Sequence, residues 1–196
     1  MKLSFSTNGW SGFSWEDFYS MAKDLGFNGF ELHDIDRSVY YNPLREDNIA
    51  RTVRTLNSLE LSIPCIDALC DIADADKTED SIKEIKRYID IASKLGCPYV
   101  RVHAGKDRED ADKTAQQVLK ACLEDAEQKK VAMLVETVGV YADTARLRDL
   151  LNIFACDNIA ALWDMSHPYR ETWSSGRRRD SRRSRPTGAA DPRRTH

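Results

Sequence analysis

The sequence predicts a parallel α/β fold, and three observations lead to that prediction. Short apolar runs alternate with amphipathic helical stretches from the first residues to about residue 165. The runs begin roughly every 26 to 37 positions, which leaves room for a helical crossover between parallel strands. Polar residues follow most of the runs, and functional groups gather at such strand ends in parallel α/β proteins.

The apolar runs predict six strands. They lie at Lys2–Thr7, Asn28–Leu32, Leu61–Asp67, Pro98–His103, Val131–Glu136 and Ile159–Asp164. Their alternation with helices predicts pairing through helical crossovers.

Helix boundaries are marked by recognisable residue patterns. Ser14 and Asp17 form a capping-box pattern before the first helical stretch, and Asp143 is placed to cap the fifth. Gly26 and Gly96 follow helical stretches, where a left-handed residue commonly ends the helix. These signals separate each helix from the strand that follows it.

Composition excludes several classes of protein. No apolar run reaches about 18 residues, and the opening segment is too short and polar for a secretory signal, so we expect a cytoplasmic protein. The five cysteines lie far apart without a Cys-x-x-Cys pair, which disfavours a disulfide framework or a thiolate zinc site.

Six such units fit either an open doubly wound sheet or most of a (β/α)8 barrel. Neither a Gly-x-Gly-x-x-Gly loop nor a phosphate-binding Gly-x-x-x-x-Gly-Lys loop follows a predicted strand. A nucleotide cradle of either common type is therefore not indicated.

Two carboxylates predict an oxygen-ligand metal site. Glu136 and Asp164 each close a run that is apolar enough to be buried, and a carboxylate there needs a cation or hydrogen-bond donors. Neighbouring strands lie about 5 Å apart, so both side chains can reach one divalent ion. His167 follows Asp164 by three residues and is placed to contact either the metal or a substrate, or to be an ordinary loop histidine.

These residues resemble the xylose-isomerase-like superfamily of TIM barrels, which includes sugar isomerases, 3-epimerases and the endonucleases of AP endonuclease family 2. The likeness covers about residues 1–170. It rests on the glutamate that ends the fifth strand and on the Asp-x-x-His motif within WDMSHPYR, from Asp164 to His167.

The resemblance implies a (β/α)8 fold and a divalent ion, manganese, magnesium or cobalt rather than zinc, held by Glu136 and Asp164. It implies that Glu136 also exchanges a proton beside a sugar carbonyl through an enediolate. His167, Glu31 and His103 would contact the substrate. The implied partner is a small-molecule sugar or sugar phosphate, with no nucleic acid or membrane, and the oligomeric state stays open.

The match to the family pattern is partial. Two further metal ligands, a histidine after strand seven and a glutamate after strand eight, have no counterpart, and Ala142 stands where some epimerases have a second glutamate. An endonuclease-like phosphodiesterase is an alternative, but it would need a histidine where Asp67 stands, and the acidic body of the chain suits DNA poorly.

The last segment, residues 171–196, is predicted to be an Arg-rich tail. Residues 170–196 contain nine arginines and three acidic residues, and they lack the apolar runs that further strands need. We expect the barrel to be truncated after about six strands, which would impair its activity. The tail is interpreted as disordered or as the product of a shifted reading frame. A non-enzymatic scaffold whose Arg tail binds anions is the other interpretation.

Overall fold

The computed structural model describes residues 1–10, 12–33, 46–105 and 107–170. The strands are β1 (Ser4–Ser6), β2 (Gly29–His33), β3 (Cys65–Asp71), β4 (Tyr99–His103), β5 (Ala132–Glu136) and β6 (Ile159–Leu162). The longer helices are α1 (Trp15–Asp24), α2 (Glu46–Ser58), α3 (Thr78–Leu95), α4 (Ala111–Lys129) and α5 (Thr144–Phe154). None of the described helices has the length and apolar character needed to cross a membrane. The predicted tail lies outside the described residues and stays a prediction.

All six predicted strands are present, and they form one parallel sheet in the order β1-β2-β3-β4-β5-β6. Crossovers between parallel strands are almost always right-handed, so crossovers between sequential neighbours put the connecting helices on one face of the sheet. A doubly wound fold requires the strand order to reverse. The observed order therefore supports the barrel type of fold over the open sheet. Within the described residues, β1 and β6 each pair with a single strand.

The predicted helix boundaries agree with the structure. Ser14 Oγ accepts a hydrogen bond from the backbone N–H of Asp17, and Asp17 Oδ2 accepts one from the backbone N–H of Ser14. The side chain of Asp143 caps α5. Gly26 and Gly96 adopt left-handed backbone with φ of 72° and 70°. Each of these caps satisfies backbone groups that the helix itself leaves without partners.

The two faces of the sheet differ in chemistry. On β4, Val100 and Val102 are fully buried, as are Ile85 and Ile89 of the adjacent α3. Alternate residues of a strand point to opposite faces, so Arg101 lies on the face away from the helices. The apolar core thus fills the space between sheet and helices, and the other face carries the charged side chain of Arg101.

Strand β3 differs from its prediction at its end. The sequence places the end of the strand at Asp67, but β3 continues to Asp71. Asp67 pairs with Arg101 and Asp71 pairs with His103, so β3 bulges between them, and Leu69 there has a φ of 53°. An irregular residue of this kind interrupts the strand pattern that the prediction used. Asp67 is therefore an interior strand residue.

Gly139 follows β5 and lies directly against the backbone of the residues that follow β4. It has a φ of 59° and begins the 3-10 turn Gly139–Ala142. A Cβ added at this residue would lie 1.9 Å from the carbonyl oxygen of Ala104 and 2.4 Å from that of Gly105. The close approach of two backbone segments explains why the position holds glycine.

Candidate functional site

Four charged side chains from four neighbouring strands meet on the polar face of the sheet. Arg101 of β4 lies at the centre, and its Nη2 donates a hydrogen bond to Asp67 Oδ2 of β3. Its Nε lies 3.3 Å from Glu31 Oε1 of β2, and its Nη1 lies 3.5 Å from Glu136 Oε1 of β5. All four side chains are at least four-fifths buried. One guanidinium thus compensates three carboxylates that would otherwise be costly to bury.

Asp67 is the most deeply buried acid of this group. Its Oδ2 lies 2.8 Å from Nδ1 of His33, and its Oδ1 accepts the backbone N–H of Leu69 at 3.0 Å. Burial raises the pKa of this carboxyl, but the hydrogen bond and charge of Arg101, with the other two donors, outweigh it and hold the pKa of Asp67 below its usual value. Asp67 is therefore a charged anchor for both Arg101 and His33.

Glu31 is less well satisfied than Asp67. Its Oε1 and the Nε of Arg101 are both buried and lie 3.3 Å apart, yet neither makes a hydrogen bond. Burial raises the pKa of Glu31, and the charge of Arg101 offsets that effect only in part. The folded chain consequently favours the neutral form of this carboxyl more than the unfolded chain does.

We expect Glu31→Gln to raise Tm at pH 7 but not at pH 3. The pKa of Glu31 is raised in the folded chain, so its favourable contribution is complete below the unfolded pKa of about 4.3 and is lost as the pH rises through the folded pKa. Glutamine carries no charge, so the variant does not lose this stability as the pH rises. Thermal unfolding of both proteins across pH 3 to 8 measures the difference, with the exposed Glu127→Gln as control. A Tm of E31Q below that of the wild type at pH 7 would contradict the expectation.

Asp164 is fixed in place by β5 and by its own loop. The hydroxyl of Thr137, directly after Glu136, accepts the backbone N–H of Asp164 at 2.7 Å and donates to its carbonyl at 3.1 Å. Asp164 Oδ1 accepts the backbone N–H groups of Ser166 and His167 at 2.6 and 2.9 Å. The His167 N–H is the main cause of a lowered pKa of Asp164; burial opposes it, and the Ser166 N–H adds to it. The carboxylate therefore carries its charge in a defined orientation.

Three other predicted site residues, Glu136, His103 and His167, lie at the same edge of the sheet as Asp164. Glu136 ends β5 and pairs in register with Leu162, two residues before Asp164. His103 ends the adjacent β4. The ring Nδ1 of His167 lies 3.2 Å from Asp164 Oδ1 but makes no hydrogen bond. The carboxyl edge of the sheet thus carries Glu136, Asp164 and His103, whereas Glu31 lies deeper and contacts the group around Arg101.

The carboxylate oxygens of Glu136 and Asp164 are of the type that binds divalent metal ions. Two carboxylates on neighbouring strands are the oxygen ligands that manganese or magnesium prefers. In the described residues, however, no three side chains of the His, Cys, Asp or Glu type are grouped so that they could hold a metal ion. Glu136 and Asp164 are therefore two candidate oxygen ligands without a completed metal site among the described residues, and their role as ligands stays a prediction.

Arg101 is the central residue that the sequence prediction did not include. A signal was present, because an arginine between two valines in YVRVH is a charged residue on one face of a buried strand. Such a residue needs an anionic partner on the same face of a neighbouring strand. That partner is Asp67, which the prediction placed at the end of its strand, whereas β3 continues past it to Asp71.

Comparison with solved structures shows the same fold in other proteins. The probable 3-DHS dehydratase AsbF from Bacillus anthracis superimposes with a TM-score of 0.70 at 22% identity, over 90% of this chain and 66% of that one. A D-tagatose 3-epimerase-like protein gives 0.70 at 17% identity, over 86% and 66%. An IOLI protein with a bound zinc atom gives 0.72 at 19% identity, over 85% and 64%. The chain thus spans about two thirds of the length of these proteins.

The sequence itself matches a family model. No curated protein matches the chain closely enough to be counted as a relative. The model described as xylose isomerase-like TIM barrel, however, matches residues 19–189, which is most of the sequence. This match agrees with the sequential parallel sheet and with the barrel structures above. The chain belongs to the xylose isomerase-like TIM-barrel family.

Proposed function

We propose that the chain is a sugar isomerase or epimerase in which Glu136 moves a proton at the carbon beside a carbonyl. The observation that supports this most directly is the pair of carboxylates, Glu136 and Asp164, at the carboxyl edge of adjacent strands. In barrels of this type, reacting groups come from that edge. The epimerase and dehydratase among the similar structures are named for reactions in which a proton leaves a carbon atom.

The contacts of Glu136 suit a carboxylate that accepts and returns a proton. Its side chain is 14% exposed, so bulk water has limited access, and the guanidinium of Arg101 lies 3.5 Å away. The ionised carboxylate is the form that removes a proton. For isomerisation, Glu136 returns the proton to the neighbouring carbon, while the hydroxyl proton of that carbon passes to the former carbonyl oxygen. For epimerisation, Glu136 keeps the proton that it removed, and a second group delivers a proton to the opposite face of the same carbon.

Other residues of the edge would bind and orient the sugar. His103 ends the strand next to Glu136, and the ring of His167 lies beside Asp164. Each imidazole can donate a hydrogen bond to a sugar oxygen. A divalent ion held by Glu136 and Asp164 would stabilise the negative charge that develops on the substrate oxygens.

Solvent exchange tests this proposal without requiring complete turnover. We expect the chain to introduce deuterium beside the carbonyl of at least one ketose from a panel of D-fructose, D-tagatose and their phosphates, in D2O containing Mn²⁺, as measured by NMR. Glu136→Gln should reduce the exchange rate by about 100-fold or more, because positioned acid–base groups typically contribute that much.

Two further variants complete the test. Asp164→Asn should weaken Mn²⁺ binding, whereas the exposed Asp149→Asn should leave both exchange and Mn²⁺ binding unchanged. Absence of exchange for every ketose, or exchange that persists in E136Q, would refute the proposed role of Glu136.

A further inference from the structure

His33 and Asp67 form a hydrogen-bonded pair on the polar face of the sheet. His33 ends β2, and its Nδ1 lies 2.8 Å from Oδ2 of Asp67, the residue that pairs with it in register on β3. The pKa of Asp67 is lowered, so its carboxylate is ionised at neutral pH and can only accept hydrogen bonds. Nδ1 of His33 therefore carries the hydrogen, and Nε2 is the ring nitrogen that remains to exchange a proton.

The His33 side chain is held in place and is still accessible. The backbone N–H of His33 donates to Oγ1 of Thr7, directly after β1, at 2.9 Å. The side chain of His33 is 21% exposed, whereas that of Asp67 is 4% exposed. A small molecule on the polar face can thus reach the imidazole, while the carboxylate that orients the ring stays shielded from water.

A continuous series of contacts joins His33 to Glu136. Asp67 contacts both the His33 ring and Nη2 of Arg101, and Nη1 of the same guanidinium lies 3.5 Å from Glu136 Oε1. The two outer residues of this series stand on β2 and β5, with β3 and β4 between them. In an eight-stranded barrel, strands three positions apart lie on nearly opposite walls. His33 and Glu136 are therefore placed to approach a molecule over Arg101 from different sides.

Two other histidines at this edge lie closer to Glu136. His103 ends β4, which pairs with β5, and His167 lies beside Asp164 after β6, which pairs with β5 on its other side. A group on a neighbouring strand approaches a substrate from the same side as Glu136. Among these three histidines, His33 is the one on a distant strand, and its ring is oriented by an ionised carboxylate.

We propose that His33 is the second acid–base group of the site, and that the chain is an epimerase acting at C3 of a ketose. The inference rests on the proposed role of Glu136. Glu136 removes the C3 proton, and the electron pair of that C–H bond forms an enediolate with the neighbouring carbonyl. Nε2–H of the charged His33 ring then delivers its proton to the opposite face of C3, and the carbonyl forms again. Water afterwards takes the proton from Glu136 and returns one to His33, so the cycle needs no oxidant or reductant.

The test measures exchange and inversion separately for the same ketoses in D2O. NMR reports deuterium at C3 of the recovered ketose, and chromatography reports its C3 epimer. His33→Asn keeps an N–H donor for Asp67 but has no nitrogen that exchanges a proton at neutral pH. We expect H33N to form the epimer about 100-fold more slowly than the wild type, while exchange in the starting ketose stays within about threefold. The exposed Asp149→Asn is the control and should leave both rates unchanged.

The outcomes separate this inference from the proposed function. Exchange that persists in E136Q refutes the role of Glu136 and the proposed function with it. If E136Q abolishes exchange but the wild type forms no epimer, or H33N forms it at the wild-type rate, the role of His33 is refuted while that of Glu136 stands. A folded H33N that loses exchange and inversion equally also refutes proton delivery by His33. Should H33N fail to give a folded circular dichroism spectrum, His33→Gln decides by the same two rates.

Discussion

Gly139→Ala is expected to destabilise the folded chain by about 3 kcal/mol or more. The added Cβ would lie 1.9 Å from the carbonyl oxygen of Ala104 and 2.4 Å from that of Gly105, and both are backbone atoms. A backbone with a φ of 59° is also unfavourable for alanine. The chain must therefore either separate the β4 and β5 loops or change the conformation of the turn.

Urea unfolding of G139A and the wild type measures this loss, and Gly9→Ala is the matched control. A Cβ at Gly9 has no atom within 4 Å, and the residue does not have a left-handed φ, so we expect its variant to stay within about 0.5 kcal/mol of the wild type. Equal stabilities of G139A and G9A would show that the contact between the loops is not close in solution.

The second large effect concerns the charge that anchors Arg101. Asp67→Asn is expected to destabilise the chain by about 3 kcal/mol at pH 7. The substitution removes the negative charge that pairs with the buried guanidinium of Arg101, and it can place the amide N–H₂ of asparagine, itself a donor, against the N–H groups of Arg101. The variant keeps the size of the side chain, so the loss reports on charge and hydrogen bonding.

The pH dependence of this effect has a definite sign. The pKa of Asp67 is lowered in the folded chain, so its stabilising contribution is complete above the unfolded pKa of about 3.9 and is lost as the pH falls through the folded pKa. The difference between the wild type and D67N should therefore be largest at neutral pH and shrink below about pH 4. Unfolding free energies at pH 7, 5 and 3 test this.

Asp149→Asn supplies the control for charge removal alone. Asp149 pairs with Arg148 at the surface, where both side chains are two-thirds exposed. The unfolding free energy of D149N should therefore stay within about 0.5 kcal/mol of that of the wild type at every pH. A D67N variant as stable as D149N at pH 7 would mean that the buried ion pair contributes nothing to the fold.

The sequence was sufficient to predict the fold because its local signals agree. The six apolar runs, the capping box at Ser14 and the glycines after α1 and α3 all indicate the same strand and helix boundaries. The spacing of the strands alone left open the choice between an open sheet and a barrel, because that choice depends on strand order, which is a non-local property. The resemblance of Glu136 and the Asp164–His167 motif to the xylose-isomerase-like family predicted the barrel, and the observed strand order agrees with it.

The candidate site was predictable only at its edge. Glu136 and Asp164 follow apolar runs, so their positions are visible in the sequence. The group around Arg101 was not, because its members come from four strands and meet only when the register is known. The irregularity at Leu69 shifts the register of β3 against β4 only beyond Asp67, between Asp67 and Asp71.

The sequential strand order has a consequence for how the chain folds. Each strand pairs with one that lies about 25 to 35 positions away, so every step closes a loop of similar and moderate length. No long-range closure has to precede the others among the described units. The sheet can therefore grow outward from any pair of adjacent strands, and an amino-terminal portion emerging from the ribosome can begin to assemble before the rest is synthesised.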